Sequence, residues 1–242
     1  ICYLRGVAFV APFFLLYLCI MTIDELYRFV QLMANKENRG WIRPTEFNLL
    51  ATRAQLDLIK DRVGNPSPDG MVNSFRENSQ LYDELRGVIT YNVTMTPDAD
   101  GDFAFPGDYL YYLSGRFDNA EVDMINHGDI TPRRKSFVSP PTPDFPVGII
   151  TGQGIRIFTS SGGSVNSGAM RLTYIAEPTA PVWGFTTVNN VEVYNVSAST
   201  QLTLPATTHQ EIAHRILSYL GVALREATIV EYGTAKVLET KQ

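Results

Sequence analysis

The chain has 242 residues, 45% of them hydrophobic, which is enough for one large domain or two small ones around a real core. Its 25 Asp and Glu residues outnumber its 20 Lys and Arg residues, for a formal net charge of −5. This acidic balance argues against broad nucleic-acid binding, although a local basic patch can still meet an acidic partner.

Residues 1–20 form an apolar segment for which the sequence leaves three alternatives open. The run from Gly6 to Ile20 contains Pro12 and is shorter than the roughly 18 to 20 residues of a spanning helix. It is an upstream extension of a chain that starts at Met21, a signal or anchor segment, or a buried apolar arm. We expect the extension. Both cysteines lie in this segment, so the remaining chain cannot form a disulfide.

Residues 21–87 are predicted to be helical. Thr22-Ile23-Asp24-Glu25 is a capping box, in which the side chains of the first and last residues satisfy each other's backbone amides. The first helix has one apolar stripe and ends at "NKENRG". A second helix, from Pro44 or Thr45 to Gly64, has two apolar stripes, which predicts packing between neighbours. A shorter helix follows around Ser79 to Arg86.

Residues 88–205 are predicted to be a β-rich domain of about six to eight strands, because the apolar pattern changes to period two between Pro, Gly, Asn and Asp clusters. "TPDADG" is predicted to be a hairpin loop between the first two strands. The four prolines of "SPPTPDFP" predict an extended segment that cannot join a central strand.

The helical pattern returns after Pro205. Thr208-His209-Gln210-Glu211 resembles a second capping box, and an apolar stripe predicts a long helix over 206–232, followed by a tail over 233–242. The predicted fold class is α+β: a helical bundle from the N-terminal helices and a long C-terminal helix, with an antiparallel β-rich domain inserted between them.

Motifs that would carry chemistry are incomplete, so we expect no enzyme, cofactor or metal. The histidines of "HQEIAH" are five residues apart, whereas zinc-binding helices space them by four. "DADGD" has its glycine at the fourth position of a calcium loop instead of the sixth. "GQGIRI" lacks the third glycine and the following helix of a phosphate-binding loop. Neither a nucleophile elbow nor a Cys–His arrangement is present downstream of residue 20.

Two short segments are candidate interfaces. Arg133, Arg134 and Lys135 form the one basic cluster, which can bind phosphate, can pair with a neighbour's acidic surface, or can be an ordinary solvated loop. Val237 and Leu238 form an apolar pair in the C-terminal tail, which we expect to be an extended arm along a neighbouring subunit.

The stretch "MTIDELYRFVQLMANKENRGWIRPTEFNLLATRAQLDLI" resembles the N-terminus of virion structural proteins of crAss-like phages of Bacteroidetes. Those proteins share the "NKE..RG" turn and a helix that starts "P..FNLLA..AQ". More distantly, "DADGDFAFPGDYLYYL" and "LPATTHQEIAHRI" are similar to the tail tubular protein A class of head-to-tail adaptors in short-tailed phages. The first resemblance covers some forty residues, and the match is diffuse afterwards.

The resemblance implies a head-to-tail connector: a ring of copies of this chain, about twelve in that family, which joins portal and tail and forms part of the DNA conduit. It implies contacts with the portal protein and other tail or ring proteins, passage of DNA without sequence-specific binding, assembly in the host cytoplasm, and no membrane for residues 21–242. The alternative prediction is a membrane-anchored β-rich binding module of a cell envelope, with residues 1–20 as its anchor.

Overall fold

The computed structural model describes residues 21–35, 42–64, 79–224 and 234–238. Residues 1–20 lie outside this part of the chain, as do the "NKENRG" turn and residues 225–233. In chain order, the helices are α1 (Ile23–Asn35), α2 (Pro44–Gly64), α3 (Ser79–Glu84), α4 (Ile130–Lys135), α5 (His209–Leu224) and the short α6 over 234–238. The strands are β1 (Ile89–Met95), β2 (Asp102–Ala104), β3 (Tyr109–Phe117), β4 (Ala120–Glu121), β5 (Asp123–Met124), β6 (Val147–Ile150), β7 (Gly154–Phe158), β8 (Met170–Ala176), β9 (Phe185–Val188) and β10 (Val191–Tyr194).

The chain divides into two compact units. The inserted unit is Val88–Glu177, and the terminal unit combines Ile1–Gly87 with Pro178–Gln242. The predicted β-rich domain, 88–205, therefore covers the whole inserted unit and continues into the terminal unit, where β9 and β10 form a separate two-stranded sheet.

Helix α1 begins at the predicted capping box. The Thr22 amide donates to Oε2 of Glu25 at 2.9 Å, and the Glu25 amide donates to Oγ1 of Thr22 at 3.3 Å. The predicted apolar stripe of α1 is buried, with Ile23, Leu26 and Val30 fully inaccessible. Local sequence alone thus places this helix and orients its face.

The predicted helical bundle is wrong, and the described residues contain no long C-terminal helix. The described residues are mixed α/β, with about 38% helix and 29% strand in antiparallel-rich sheets. Helix α5 has 16 residues and contacts α1 and α2, but irregular chain after Pro178 packs on the same helices. Gln55 of α2, for example, donates to the carbonyl of Thr179 at 3.2 Å and accepts from the amide of Thr203 at 3.3 Å. Irregular backbone, whose polar groups bond to the Gln55 side chain, thus occupies a helix face that a bundle would cover with another helix.

Of two finer predictions in the terminal unit, one is correct only in part and the other is wrong. The second apolar stripe predicted for α2, which consists of Leu49, Leu56, Ile59 and Val63, is buried only in part, because Ile59 is fully buried whereas Leu49 is 72% exposed. The second capping box does not form, because the Thr208 hydroxyl donates to the carbonyl of Pro205 at 2.8 Å while the Glu211 carboxylate pairs with Arg62 and Arg215. Glu211 thus pairs with Arg62 of α2 and with Arg215 of its own helix, and it does not cap the helix.

The inserted unit contains two four-stranded sheets, with strand orders β1-β8-β3-β4 and β2-β7-β6-β5. All pairs are antiparallel except β5 with β6. One core, including Phe103, Phe117, Ile155 and Met170, contains side chains from both sheets. A smaller core of Ile130, Val147, Ile149 and Phe158 lies beside α4.

The predicted hairpin loop "TPDADG" forms a tight turn, but it does not join a hairpin of one sheet. Gly101 has φ +78°, and the Gly101 amide donates to the carbonyl of Asp98 at 3.1 Å. An isolated bridge from Pro97 to Phe103 closes the turn, whereas β1 pairs with β8 and β2 pairs with β7. The turn therefore carries the chain from one sheet to the other.

Candidate protein interface

The basic cluster lies in the last turn of α4, in the inserted unit. A 3₁₀ turn over His127–Asp129 leads into this six-residue helix, whose Ile130 side chain is buried in the smaller core. Cations in the last turn of a helix lie near its exposed carbonyl groups, which is a favourable place for positive charge. The buried Ile130 thus fixes the position from which the cluster projects.

Two of the three cations have partners within the inserted unit. Arg133 donates through Nη1 to Oγ of Ser139 at 2.6 Å, and its Nη2 lies 3.7 Å from a carboxylate oxygen of Asp123. Arg134 donates to the carbonyls of Ser161 and Gly162. The Arg134 guanidinium also lies 4.9 Å from the ring centroid of Phe158, a cation–π distance.

Lys135 is exposed and makes no ion pair with any described residue. The predicted cluster therefore divides into two arginines that position the backbone and one lysine available to a partner. Arg133 in particular connects α4 with the loop that follows it.

The loop over 136–145 is held at both ends. The Ser139 amide donates to Oγ of Ser136 at 3.2 Å. Further along, the Thr142 and Phe145 backbones bond to each other at 3.3 and 3.1 Å around Pro143 and Asp144, residues that favour a β-turn. Proline fixes φ, so this sequence also loses less conformational entropy when it orders than a proline-free loop does.

This ordered loop exposes large apolar side chains. Phe137 is 100% exposed, Val138 91% and Phe145 74%. We call these three residues the apolar tip. Burying a side chain of this size stabilises a protein by about 1.5 to 3 kcal/mol, and the fold gains none of it for Phe137. The apolar tip with Lys135 beside it is a surface suited to a protein partner.

The sequence patterns predict the basic cluster but not the apolar tip. The signal was in "SFVSPPTPDFP", where apolar residues stand among serines and prolines that exclude a central strand. Apolar side chains in such a segment reach the core only if the loop folds back on it. Whether it does depends on the local turn at Thr142–Phe145 and on the bond between Arg133 and Ser139, which no local pattern reveals.

The second candidate segment, Val237 with Leu238, belongs to the terminal unit. Residues 234–238 are helical, so the expected extended arm is a helical turn in its described part. Leu238 is 63% exposed and Val237 is half-buried. The two candidate segments therefore belong to different units.

The terminal unit has a further exposed apolar element in its β9–β10 hairpin. Asn189 and Asn190 have φ of +49° and +64°, as the tight two-residue turns of hairpins require. Val188, Val191 and Val193 of this hairpin are 52%, 60% and 46% exposed. Its base is fixed by Trp183, whose ring lies 6.1 Å from Phe185 and 5.6 Å from Tyr194 between centroids.

The motifs with incomplete signatures lie in ordinary structural places. His209 and His214 are both buried in α5, and "GQGIRI" enters β7. Among the described residues, no group of three or more His, Cys, Asp or Glu side chains is arranged to hold a metal ion.

Comparison with known proteins gives no match: no protein-family model matches the sequence, and no curated protein is significantly similar to it. None of the described helices combines the length and apolar character needed to cross a membrane.

Proposed function

We propose that the chain is a structural subunit of a phage virion, a head-to-tail connector that associates with copies of itself into a ring and binds the portal protein. The resemblance of residues 21–59 to virion proteins of crAss-like phages supports the virion assignment. The apolar tip supports the role of an assembly subunit, and it is the observation on which the proposal rests.

The apolar tip argues for assembly because of its order as well as its exposure. A flexible loop with exposed phenylalanines would lose conformational entropy on binding, whereas a loop already held by hydrogen bonds loses little. Aromatic side chains are enriched at the centres of protein interfaces, where they supply most of the binding energy. Phe137 and Phe145 fit that role on an ordered loop.

The charge balance is consistent with a DNA conduit. Binding to duplex DNA depends on Lys and Arg that neutralise phosphates, and each such contact strengthens non-specific binding. A chain with 25 acidic and 20 basic residues offers no net attraction of this kind. Such a surface lets DNA pass without holding it.

The proposal is tested by measuring the mass of the full chain in solution, alone and mixed with the portal protein of the same virion. We expect rings or portal-bound rings for the wild type. The double variant Phe137→Ser, Val138→Ser should associate at least about tenfold more weakly, because two of the three side chains of the apolar tip then bury no apolar area against the partner. Leu49→Ser, at a residue 72% exposed in the terminal unit, is the matched control and should associate like the wild type.

A chain that stays monomeric and unbound in both mixtures contradicts the proposed function. Equal association of the apolar-tip variant and the wild type would leave the ring in place but remove the tip from its interface. In the same assay, truncation after Tyr232 tests the tail with its exposed Leu238. We expect the truncated chain to fold and to assemble less well, because Leu238 then contributes no buried area.

A further inference from the structure

The β9–β10 hairpin of the terminal unit is a two-stranded sheet with two open edges. Among the described residues, β9 pairs only with β10, in a register that runs from Val188 opposite Val191 to Phe185 opposite Tyr194. Hairpins of two strands are marginally stable in water by themselves, and most sheets contain about four to six strands. The hairpin is therefore a sheet to which further strands can be added.

The register also fixes which backbone groups point away from the hairpin. The Asn195 amide donates to the carbonyl of Gly184 at 2.8 Å, so this pair bonds inward. Inward and outward residues alternate along an antiparallel pair, so each strand presents the amides and carbonyls of two residues at its outer edge. These are Phe185 and Thr187 on β9 and Glu192 and Tyr194 on β10. None of these backbone groups has a hydrogen-bond partner among the described residues.

Neither edge has the features by which proteins usually prevent strand pairing. Such features are prolines, β-bulges and charged side chains, lysine above all. The hairpin has no proline, its register is continuous, and Glu192 is its only charged residue. One of its faces is β-branched and exposed, and consists of Thr186, Val188, Val191 and Val193. Unprotected edges beside such a face suit the addition of a strand.

The base of the hairpin is held by bonds within the terminal unit. The Trp183 amide donates to Oδ1 of Asn48 in α2 at 2.7 Å, and its indole Nε1 donates to Asp24 in α1 at 3.0 Å. The Gly184 amide donates to Oγ of Ser199 at 2.9 Å. A hairpin that is ordered in this way loses little conformational entropy when a strand is added to it.

We infer that β10 of one copy pairs with β9 of the next copy, so that the hairpins of neighbouring subunits form one continuous antiparallel sheet. This inference rests on the proposed function, since it takes self-association as given and names one contact that produces it. A single register uses all the outward groups of both edges. It pairs Glu192 of one copy with Thr187 of the next, and Tyr194 with Phe185.

The side chains of the hairpin favour a second copy as the source of the added strand. In this register, Val191 of one copy lies opposite Val188 of the next, so the β-branched face continues across the contact. Glu192 lies opposite the uncharged Thr187. Pairing of β10 with β10 would instead bring the Glu192 carboxylates of two copies close together, and like charges on neighbouring strands are destabilising.

The head-to-tail arrangement also agrees with a ring. Pairing of β9 with β9, or of β10 with β10, uses one edge of each copy and ends at a two-fold dimer. Pairing of β10 with β9 uses both edges of every copy, and contacts of this heterologous kind are the ones that close into rings.

The inference is tested in the full chain by Thr187→Pro and Glu192→Pro, each of which blocks one edge. Proline removes the outward N–H that an added strand would bond, and it removes no bond within the hairpin. Each variant alone should show a dissociation constant raised at least about tenfold, measured by light scattering over a concentration series, with the portal protein present if the wild type requires it. Thr187→Val, which keeps the N–H, is the matched control and should associate like the wild type.

An equimolar mixture of the two proline variants gives the sharper result. Thr187→Pro retains an open β10 edge and Glu192→Pro retains an open β9 edge, so one intact contact can form between unlike copies. The mixture should therefore form pairs of one copy of each variant, with an affinity within about threefold of the wild-type contact, and should not grow further. Both variants should unfold at the same urea concentration as the wild type, which checks that they are folded.

Disulfide crosslinking tests the same contact without proline. In a chain with Cys2→Ser and Cys19→Ser, the variants Thr187→Cys and Glu192→Cys are mixed and oxidised. Hydrogen-bonded partners in an antiparallel sheet have Cα atoms about 5.5 Å apart, a distance that a disulfide spans. We expect disulfide-linked dimers in the mixture and none in either variant alone. Leu49→Cys mixed with Thr187→Cys is the control and should not crosslink.

The outcomes separate the contact from the proposed function. A wild type that assembles while the cysteine mixture forms no disulfide overturns the inference and leaves the ring in place. Crosslinking of either cysteine variant with itself indicates a two-fold pairing of like strands and also overturns it. A wild type that is monomeric with and without the portal protein contradicts the proposed function itself.

Discussion

Two regions of this chain reverse the usual distribution of polar and apolar groups. In the terminal unit, Glu211 and Arg215 are charged and buried, at 3% and 6% exposure. In the inserted unit, Phe137 and Val138 are apolar and exposed, at 100% and 91%. Both arrangements are costly unless each group has a partner.

The buried charges have their partners within the chain. Arg215 lies 2.6 Å from Glu211 and 2.7 Å from Asp61, and the second carboxylate oxygen of Glu211 lies 2.7 Å from Arg62. The apolar tip has no comparable cover in the inserted unit. The contrast indicates that the ion pairs belong to the fold of one chain and the apolar tip to its association with another.

The largest expected effect compares two phenylalanines of the inserted unit. Phe103 is fully buried, so Phe103→Ala should reduce the free energy of unfolding by about 3 to 5 kcal/mol. Phe137→Ala should change it by less than about 0.5 kcal/mol, because that side chain gains nothing from folding. Urea denaturation of the two variants measures both values. A large loss for Phe137→Ala would mean that the apolar tip is part of the fold of one chain and not a surface for another.

The next effect concerns the buried ion pairs. Glu211→Ala leaves Arg215 buried with Asp61 as its remaining carboxylate, and removing one partner of a buried pair costs about 3 kcal/mol or more. Asp83→Ala is the control, since the Asp83–Arg86 pair is 73% and 66% exposed and should contribute at most about 0.5 kcal/mol. Thermal or urea unfolding compares them. An equally small loss of unfolding free energy in both variants would show that water reaches the ion pairs between α2 and α5.

Sequence patterns predicted the elements that local interactions determine. The start of α1 at its capping box follows from Thr22 and Glu25, three residues apart, and its buried stripe follows from helical spacing. The predicted bundle failed because apolar stripes do not say what covers them. Around α2, the cover includes the irregular chain at Thr179 and Thr203, more than a hundred residues away.

The candidate interface was also predicted only in part: the sequence indicated its basic cluster but not its apolar tip. Charge alone singled out the basic cluster of α4, but only the fold shows that Arg133 and Arg134 have internal partners while Lys135 does not have one among the described residues. The apolar tip was missed because burial of Phe137 depends on the path of a proline-rich loop. That path is fixed in part by the bond between Arg133 and Ser139, which follows no local spacing rule, as well as by the local turn at Thr142–Phe145.

A smaller effect is expected at Tyr219, whose hydroxyl donates to Asp57 at 2.7 Å. Burial, followed by the nearby Asp57 carboxylate, raises the pKa of Tyr219 from 10.0 to about 12. Because the folded-state pKa is the higher one, this stabilisation is complete below pH 10 and is lost as the pH rises through about 12. Tyr219→Phe should lower the free energy of unfolding by about 1 kcal/mol at pH 8. Hydrogen bonds to charged groups usually contribute somewhat more, but Asp57 is partly exposed to solvent.

The stability difference between wild type and Tyr219→Phe should therefore shrink above pH 10, as measured by urea denaturation across a pH series. Tyr91→Phe, at a residue 55% exposed, is the control and should follow the wild type at each pH. A difference that stays constant up to pH 12 would contradict the coupling of this hydroxyl to Asp57.

The smallest expected effect on stability tests how the apolar tip is held. Arg133→Gln removes the 2.6 Å bond to Ser139, together with a long, partly exposed ion pair to Asp123 that contributes little. The free energy of unfolding should change by less than about 1 kcal/mol, yet the loop over 136–145 should open more often because one of its two ends is released. Limited proteolysis with an enzyme that cuts after aromatic residues reports this opening as faster cleavage at Phe137.

Ser139→Ala removes the same bond from the other side, so it should accelerate cleavage to a similar extent, whereas Lys135→Gln, which alters no contact within the described chain, should not. If neither Arg133→Gln nor Ser139→Ala accelerates cleavage, the prolines and the Thr142–Phe145 turn hold the loop by themselves. The same variants test whether the order of the loop over 136–145 affects self-association of the chain. Since a loosened loop must be ordered again on binding, Arg133→Gln should weaken self-association even though Lys135, Phe137 and Val138 are all retained.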